Sequence, residues 1–201
     1  MVAIIDYDAG NIKSVEKAVE ALGSEVIVTR NPELLLKADK VILPGVGAFG
    51  DAMKRLEEYG LVPVIKEIIE KKTPFLGICL GLQLLFESSE EAEGVKGLGI
   101  LPGKIVRFSD EFGLKIPQIG WNSITINREC KLFDGVSDGA YVYFVHSYYL
   151  KADIESDVAA SCEYGNHVHA AVFRDNVYAC QFHPEKSSDV GLRILKNFIS
   201  L

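Results

Sequence analysis

The stretch Phe75-Leu-Gly-Ile-Cys79-Leu-Gly-Leu-Gln-Leu-Leu-Phe-Glu87 sets a thiol between a short apolar run and a helical pattern. Phe75 to Ile78 has the length and content of a buried strand. Leu82, Leu85 and Phe86 then recur at helical spacing. Gly77 and Gly81 stand two residues either side of Cys79, the thiol counterpart of the Gly-x-Ser-x-Gly nucleophile elbow. Side chains at those positions would clash as the chain reverses from strand to helix. A cysteine at a helix start meets unpaired N–H groups and the positive end of the helix dipole, and both favour thiolate. The competing reading is a small buried hydrophobe, the usual state of a free cysteine. A nucleophile needs a base, so the rest of the chain decides.

With 201 residues the chain reads as one domain, 1–201, large enough for a substantial core. Its 48% hydrophobic and 24% charged residues are ordinary for a soluble globular protein. A net charge of −7 argues against a general nucleic-acid surface. No apolar run reaches membrane-span length, and the N-terminus reads as a first strand rather than a signal segment, so a cytoplasmic location is expected. Cys79, Cys130, Cys162 and Cys180 are too widely spaced for a disulfide framework. Cys180-x-x-His183 resembles half a zinc site, but no second Cys/His pair completes it, so neither metal nor cofactor is expected.

Upstream and downstream of the elbow the chain changes character. Strands are expected at Val2–Ile5, Glu25–Val28 and Lys40–Leu43, and helices at Asn11–Leu22, Gly50–Tyr59 and Leu61–Lys71. This alternation implies parallel strands joined by helical crossovers. The second half shows strand patterns at 105–108, 123–126, 141–149, 158–162, 170–173 and 177–182, separated by turn signals, before a last helix over 189–199. The expected fold is a three-layer, flavodoxin-like α/β domain with a mixed, mainly parallel sheet and an antiparallel extension. Ligands in such sheets bind beyond the carboxyl ends of the strands. Three loops lie there: Pro44-Gly-Val-Gly-Ala-Phe-Gly50, the elbow, and His183-Pro-Glu185.

His183 and Glu185 are two apart, which in extended backbone puts both on one side, and Pro184 holds His183 extended. The carboxylate then orients one imidazole nitrogen while the other faces the thiol. Alone, His-Pro-Glu fits a capped strand end; with the elbow it completes a set of nucleophile Cys79, base His183 and orienter Glu185. His146 has no acid beside it and reads as a core or site-wall residue. His167 and His169 read as solvated, in a segment leading into a strand. The backbone N–H of Leu80 is an oxyanion donor by elbow geometry. A second donor fits the Gly45-Val46-Gly47 loop, which otherwise is an ordinary glycine-rich turn.

The motifs Gly77-Ile-Cys-Leu-Gly-Leu-Gln83 and Gln181-Phe-His-Pro-Glu185 resemble the class I (triad) glutamine amidotransferases. Further blocks, among them Asp6-Tyr-Asp-Ala-Gly-Asn11, Gly120-Trp-Asn122 and Tyr143-Phe-Val-His-Ser-Tyr148, resemble the glutaminase subunits of imidazole glycerol phosphate synthases. The likeness spans nearly the whole chain. Leu82 departs from a usual methionine and Gln118 from a commoner histidine, neither in the triad. The resemblance implies glutamine hydrolysis through a γ-glutamyl thioester on Cys79. It implies oxyanion donors at Val46 and Leu80, and glutamine held by Gly45, Gly47, Gln83, His146, Ser147 and Tyr148. It also implies a separate (βα)₈ cyclase partner that uses the ammonia to form imidazole glycerol phosphate and AICAR from PRFAR. Interface positions follow at Asn11, Trp121, Asn122, Tyr143 and Lys186. Trp121, placed in a Gly-Trp-Asn turn, reads equally as an interface anchor or a core residue. Another amidotransferase subunit, a stand-alone cysteine hydrolase or a non-catalytic regulatory module with the same fold are the alternatives.

Overall fold

The computed structural model describes residues 1–201, apart from the side chain of Phe112. The first half alternates β1 (Val2–Ile5), α1 (Ile12–Ala21), β2 (Val26–Thr29), α2 (Pro32–Lys37), β3 (Lys40–Leu43), α3 (Phe49–Glu58), α4 (Leu61–Glu70), β4 (Phe75–Ile78) and α5 (Leu80–Leu84). There follow β5 (Ser88–Ser89), β6 (Gly103–Arg107), β7 (Gln118–Ser123), β8 (Thr125–Ile126), β9 (Tyr141–His146), β10 (Tyr148–Ala152), β11 (Val158–Tyr164), β12 (Asn166–Arg174), β13 (Val177–Cys180) and α6 (Ser188–Ile199).

Eight strands form one sheet in the order β2-β1-β3-β4-β13-β12-β11-β8. The first five run parallel, in the flavodoxin-like order, and the last three add antiparallel. Both faces are buried, as parallel sheets require. Val2 and Ile4 of β1 face a core with Val15 and Val19 of α1 and Ile194, Leu195 and Phe198 of α6. Ala3 and Ile5 face the opposite core, with Leu35 of α2, Phe49, Met53 and Leu56 of α3, and Ile65 and Ile68 of α4. The expected three layers are present.

Several local expectations are corrected. Helix α2 was not anticipated, although its start is written in the sequence: Asn31 accepts from Glu33 N at 2.9 Å and Pro32 occupies the first turn. Helix α5 is a single short turn; it ends at Leu84, so Leu85 and Phe86 lie beyond it. The strand expected over 141–149 is two strands, broken at Ser147 and belonging to different sheets. Trp121 lies on β7, not in a turn, paired with Tyr143 across the β7–β9 ribbon. His167 and His169 both lie on β12, and the His169 side chain is largely enclosed.

Candidate active site

Strands β3, β4 and β13 are neighbours in register, with Leu43 beside Gly77 and Ile78 beside Cys180. Their carboxyl ends therefore release the Pro44–Gly47 loop, the elbow and the His183 segment side by side. Cys79 sits at φ 54°, ψ −107°, a conformation that L side chains rarely adopt. The two glycines make the bend feasible. A Cβ at Gly77 would lie 2.7 Å from the Gly81 carbonyl oxygen, and one at Gly81 would collide with the Leu43 carbonyl.

His183 Nδ1 donates to Glu185 Oε1 over 2.8 Å, and the two side chains are 1% and 0% exposed. The contact arises differently from expectation. His183 is extended, but Glu185 lies in a 3₁₀ turn, Pro184–Lys186, rather than in continuing strand. Buried Ser187 fixes that turn by donating to His183 O at 2.6 Å and accepting from Tyr143 N at 2.9 Å. Asn11, expected at a partner surface, is half-buried and donates from Nδ2 to Glu185 Oε1 at 2.6 Å. Glu185 Oε2 is buried and without a partner among the described residues. Burial pulls the His183 pKa down, but the Cys79 sulfur and the Glu185 carboxylate outweigh it and lift it to about 10.

These residues open onto a cavity of about 270 Å³ lined by Val46, Gly47, Cys79, Leu80, Gln83, Glu91, Pro117, Val145, His146, Ser147, Tyr148, His183 and Lys186. That volume suits a small molecule rather than a polymer. Gly45 is the buried glycine of the loop, and the Tyr7 hydroxyl occupies the space where its side chain would be. Gln83 Nε2 donates to Tyr148 O at 3.0 Å. His146 is a buried wall residue: Nδ1 lies 2.9 Å from Tyr148 O and Nε2 2.9 Å from the Gln118 amide. Burial depresses its pKa to about 4, so the ring is neutral. Glu91 is an unanticipated carboxylate in the cavity wall, where it accepts from Phe49 N at 2.8 Å and so caps α3. Its place, twelve residues past the nucleophile, carries no local sequence signal.

The expected oxyanion pair is not arranged as donors. Leu80 N donates to Gly45 O at 3.3 Å. The Gly45–Val46 peptide is trans, so its N–H points opposite to its carbonyl and away from Leu80. One carbonyl thus occupies the first donor and turns the second outward.

The remaining expected positions lie outside the cavity. On the outer face of the β7–β9 ribbon Trp121 is 50% exposed and stacks edge-on against Tyr143, with centroids 5.9 Å apart. Trp121 is therefore not a core residue. Ile119 and Tyr141 are more exposed still. Asn122 is on the other face, with its amide donating to Glu163 O at 2.9 Å. Gln118 is buried. Cys180 donates to Phe182 O at 3.5 Å. Glu155, His167 and His169 do bring three potential ligand atoms within 4.8 Å of one another. His169 Nδ1, however, accepts from Ala152 N at 3.1 Å. A neutral His169 then carries its proton on Nε2 and has no free lone pair for a cation.

A left-handed elbow cysteine beside a carboxylate-bound histidine, at the ends of parallel strands, is the arrangement of a triad amidotransferase. The chain belongs to the glutamine amidotransferase class-I family, whose sequence pattern matches residues 3–201. A solved glutamine amidotransferase shares the fold with a TM-score of 0.77 at 21% identity, covering 100% of this chain and 98% of that one. Closer relatives narrow the family. The chain is 50% identical over 201 residues to the imidazole glycerol phosphate synthase subunit HisH of Methanocaldococcus jannaschii, covering 100% of each. It is 52% identical over 202 residues to the subunit of the same name from Geobacter metallireducens, covering 98% and 96%. Within the amidotransferases it belongs with these HisH subunits. Among the described residues no helix is long and apolar enough to cross a membrane.

Proposed function

We propose that this chain, acting as one domain, is the glutaminase subunit of an imidazole glycerol phosphate synthase in histidine biosynthesis, supplying ammonia to a (βα)₈ cyclase subunit in the cytoplasm. The observation that carries the reading is the Cys79 elbow sharing one cavity with a His183 held by Glu185. Cys79 attacks the side-chain amide carbon of glutamine and His183 takes the thiol proton. Collapse of the tetrahedral intermediate breaks the C–N bond, and His183 returns the proton to the leaving ammonia. Water then attacks the thioester, again with His183 as base, and releases glutamate and the thiol. Gly47, Gln83 and the backbone at Ser147 and Tyr148 hold the substrate. The Glu91 carboxylate suits its α-ammonium.

Both tetrahedral steps need donors for an oxyanion, and here Leu80 N–H is spent on Gly45 O. A half-turn of the Gly45–Val46 peptide would free Leu80 and bring Val46 N–H inward. That rotation turns on Gly45 ψ and Val46 φ; Gly45 has no side chain to oppose it, and the adjoining Gly47, already at φ +114°, can absorb the displacement of Val46. Partner docking is the natural trigger, because a free glutaminase wastes glutamine. The outer face of the β7–β9 ribbon, with Ile119, Trp121, Tyr141 and Tyr143, supplies the apolar surface such docking needs. Val145 of the same ribbon lines the cavity.

Glutamine hydrolysis by the chain alone, with the cyclase, and with the cyclase plus its nucleotide substrate tests this. One missing oxyanion donor costs roughly a hundredfold to a thousandfold in rate, so stimulation of at least about a hundredfold is expected. Equal turnover in all three conditions would refute the gating, and no hydrolysis in any of them would refute the glutaminase reading.

A further inference from the structure

Gln181 has no part in the reaction as written above, yet it is fully buried between Cys180 of β13 and Phe182. A buried amide needs partners at both ends. Its Oε1 accepts from Gln83 Nε2 at 3.1 Å, and its Nε2 lies 3.7 Å from Cys79 Sγ. Which end faces the sulfur follows from Tyr148. A backbone carbonyl only accepts, so the Gln83 atom 3.0 Å from Tyr148 O is the amide nitrogen. The second hydrogen of that nitrogen goes to Gln181, whose near end is therefore the oxygen. The far end, directed at Sγ, is NH₂. Turned over, Gln181 would set two NH₂ groups against each other in the interior. His146 Nδ1, 2.9 Å from the same Tyr148 oxygen, holds that carbonyl in place.

We infer that Gln181 is a catalytic residue of this site: its side-chain N–H binds Cys79 Sγ and stabilises the thiolate that attacks. The inference rests on Cys79 being the nucleophile, as proposed above, and adds a donor on the sulfur side, separate from those serving the substrate oxygen. An N–H donor binds thiolate more strongly than thiol, so it shifts the balance between them. Loss of one charge-assisted hydrogen bond corresponds to about a tenfold change.

The test is alkylation of Cys79 by iodoacetamide in the full chain, followed by the mass of the Cys79 peptide, at pH 7 and pH 10. Wild type is compared with Gln181→Met, which fills the space without an N–H, and with Gln181→Glu, which keeps the shape and places an acidic group at the sulfur. His183, Tyr7 and Cys180, the ionisable groups facing Cys79, are unchanged in both. The rate at pH 7 falls about tenfold in Gln181→Met and at least as far in Gln181→Glu, while at pH 10, alkaline enough to ionise an ordinary thiol without help, Gln181→Met stays within about twofold of wild type. Should Gln181→Met not fold, Gln181→Glu carries the pH 7 comparison. Wild-type rates at pH 7 in a folded variant overturn the inference, as does an equal change at both pH values in Gln181→Met, the mark of a packing role alone. Alkylation needs neither glutamine nor a partner. Failure of the glutaminase reading would show separately, as normal alkylation of a wild type that hydrolyses no glutamine with its cyclase.

Discussion

At Cys79 a left-handed backbone costs on the order of 1–3 kcal/mol and persists because the surroundings leave no alternative. Cys79 N donates to Cys180 O at 2.8 Å, and Leu82 N and Gln83 N both return to Cys79 O, so the residue is pinned from both sides. Gly81 is the most exacting neighbour, since any Cβ there meets the Leu43 carbonyl of the adjacent strand. Gly81→Ala is expected to lower stability by about 2 kcal/mol or more, because backbone cannot move aside as a side-chain tip can. Urea unfolding measures it, and a midpoint equal to wild type would show that the elbow is not held against β3. The elbow itself was legible from spacing, because glycine requirements are local. Ser187 and Glu91 were not. Their contacts, to Tyr143 N and Phe49 N, join segments more than forty residues apart.

At the scale of elements, the parallel half was largely legible because β1, β3 and β4 are apolar runs buried on both faces and α1, α3 and α4 have clear periodicity, whereas the short α2 was missed. The second half was harder. Tyr141 to Tyr149 is rich in aromatic and β-branched residues on both sides of His146-Ser147, so it reads as one strand, although the chain passes at Ser147 from one small sheet to another. Gln118 to Ser123 contains glycine, two amides and tryptophan, and reads as a turn; only pairing with β9 makes it a strand. That pairing produces the exposed apolar face on which the proposed docking depends. Trp121→Ser is expected to weaken binding to the cyclase at least about tenfold, as loss of a central aromatic anchor does. With half its surface already in water, the same change leaves the unfolding of the isolated chain within about 0.5 kcal/mol. Titration calorimetry and urea unfolding of one variant separate the two, and unchanged affinity would remove the ribbon from the interface.

For the whole molecule, two buried histidines set opposite limits on stability. His146 has a folded pKa depressed from 6.5 to about 4 by burial, so the unfolded chain binds the proton first and stability falls as pH drops from 6.5 through 4. His183 has a folded pKa raised to about 10 by Cys79 and Glu185, against burial, so its contribution is complete below 6.5 and lost as pH rises through 10. Urea midpoints are expected to peak near pH 6.5, with His146→Gln flattening the acid limb and His183→Gln the alkaline one. Limbs that persist unchanged in both variants would assign the pH dependence elsewhere. The same His183 stands where the sheet ends converge, in the centre proposed to release ammonia for a partner. The most direct measurement is formation of imidazole glycerol phosphate by the assembled complex carrying Cys79→Ala, supplied either with glutamine or with ammonium salt. Synthesis from glutamine is lost and synthesis from ammonia persists if Cys79 is the glutaminase nucleophile. Undiminished synthesis from glutamine, or loss of both in a complex that still assembles, would contradict it.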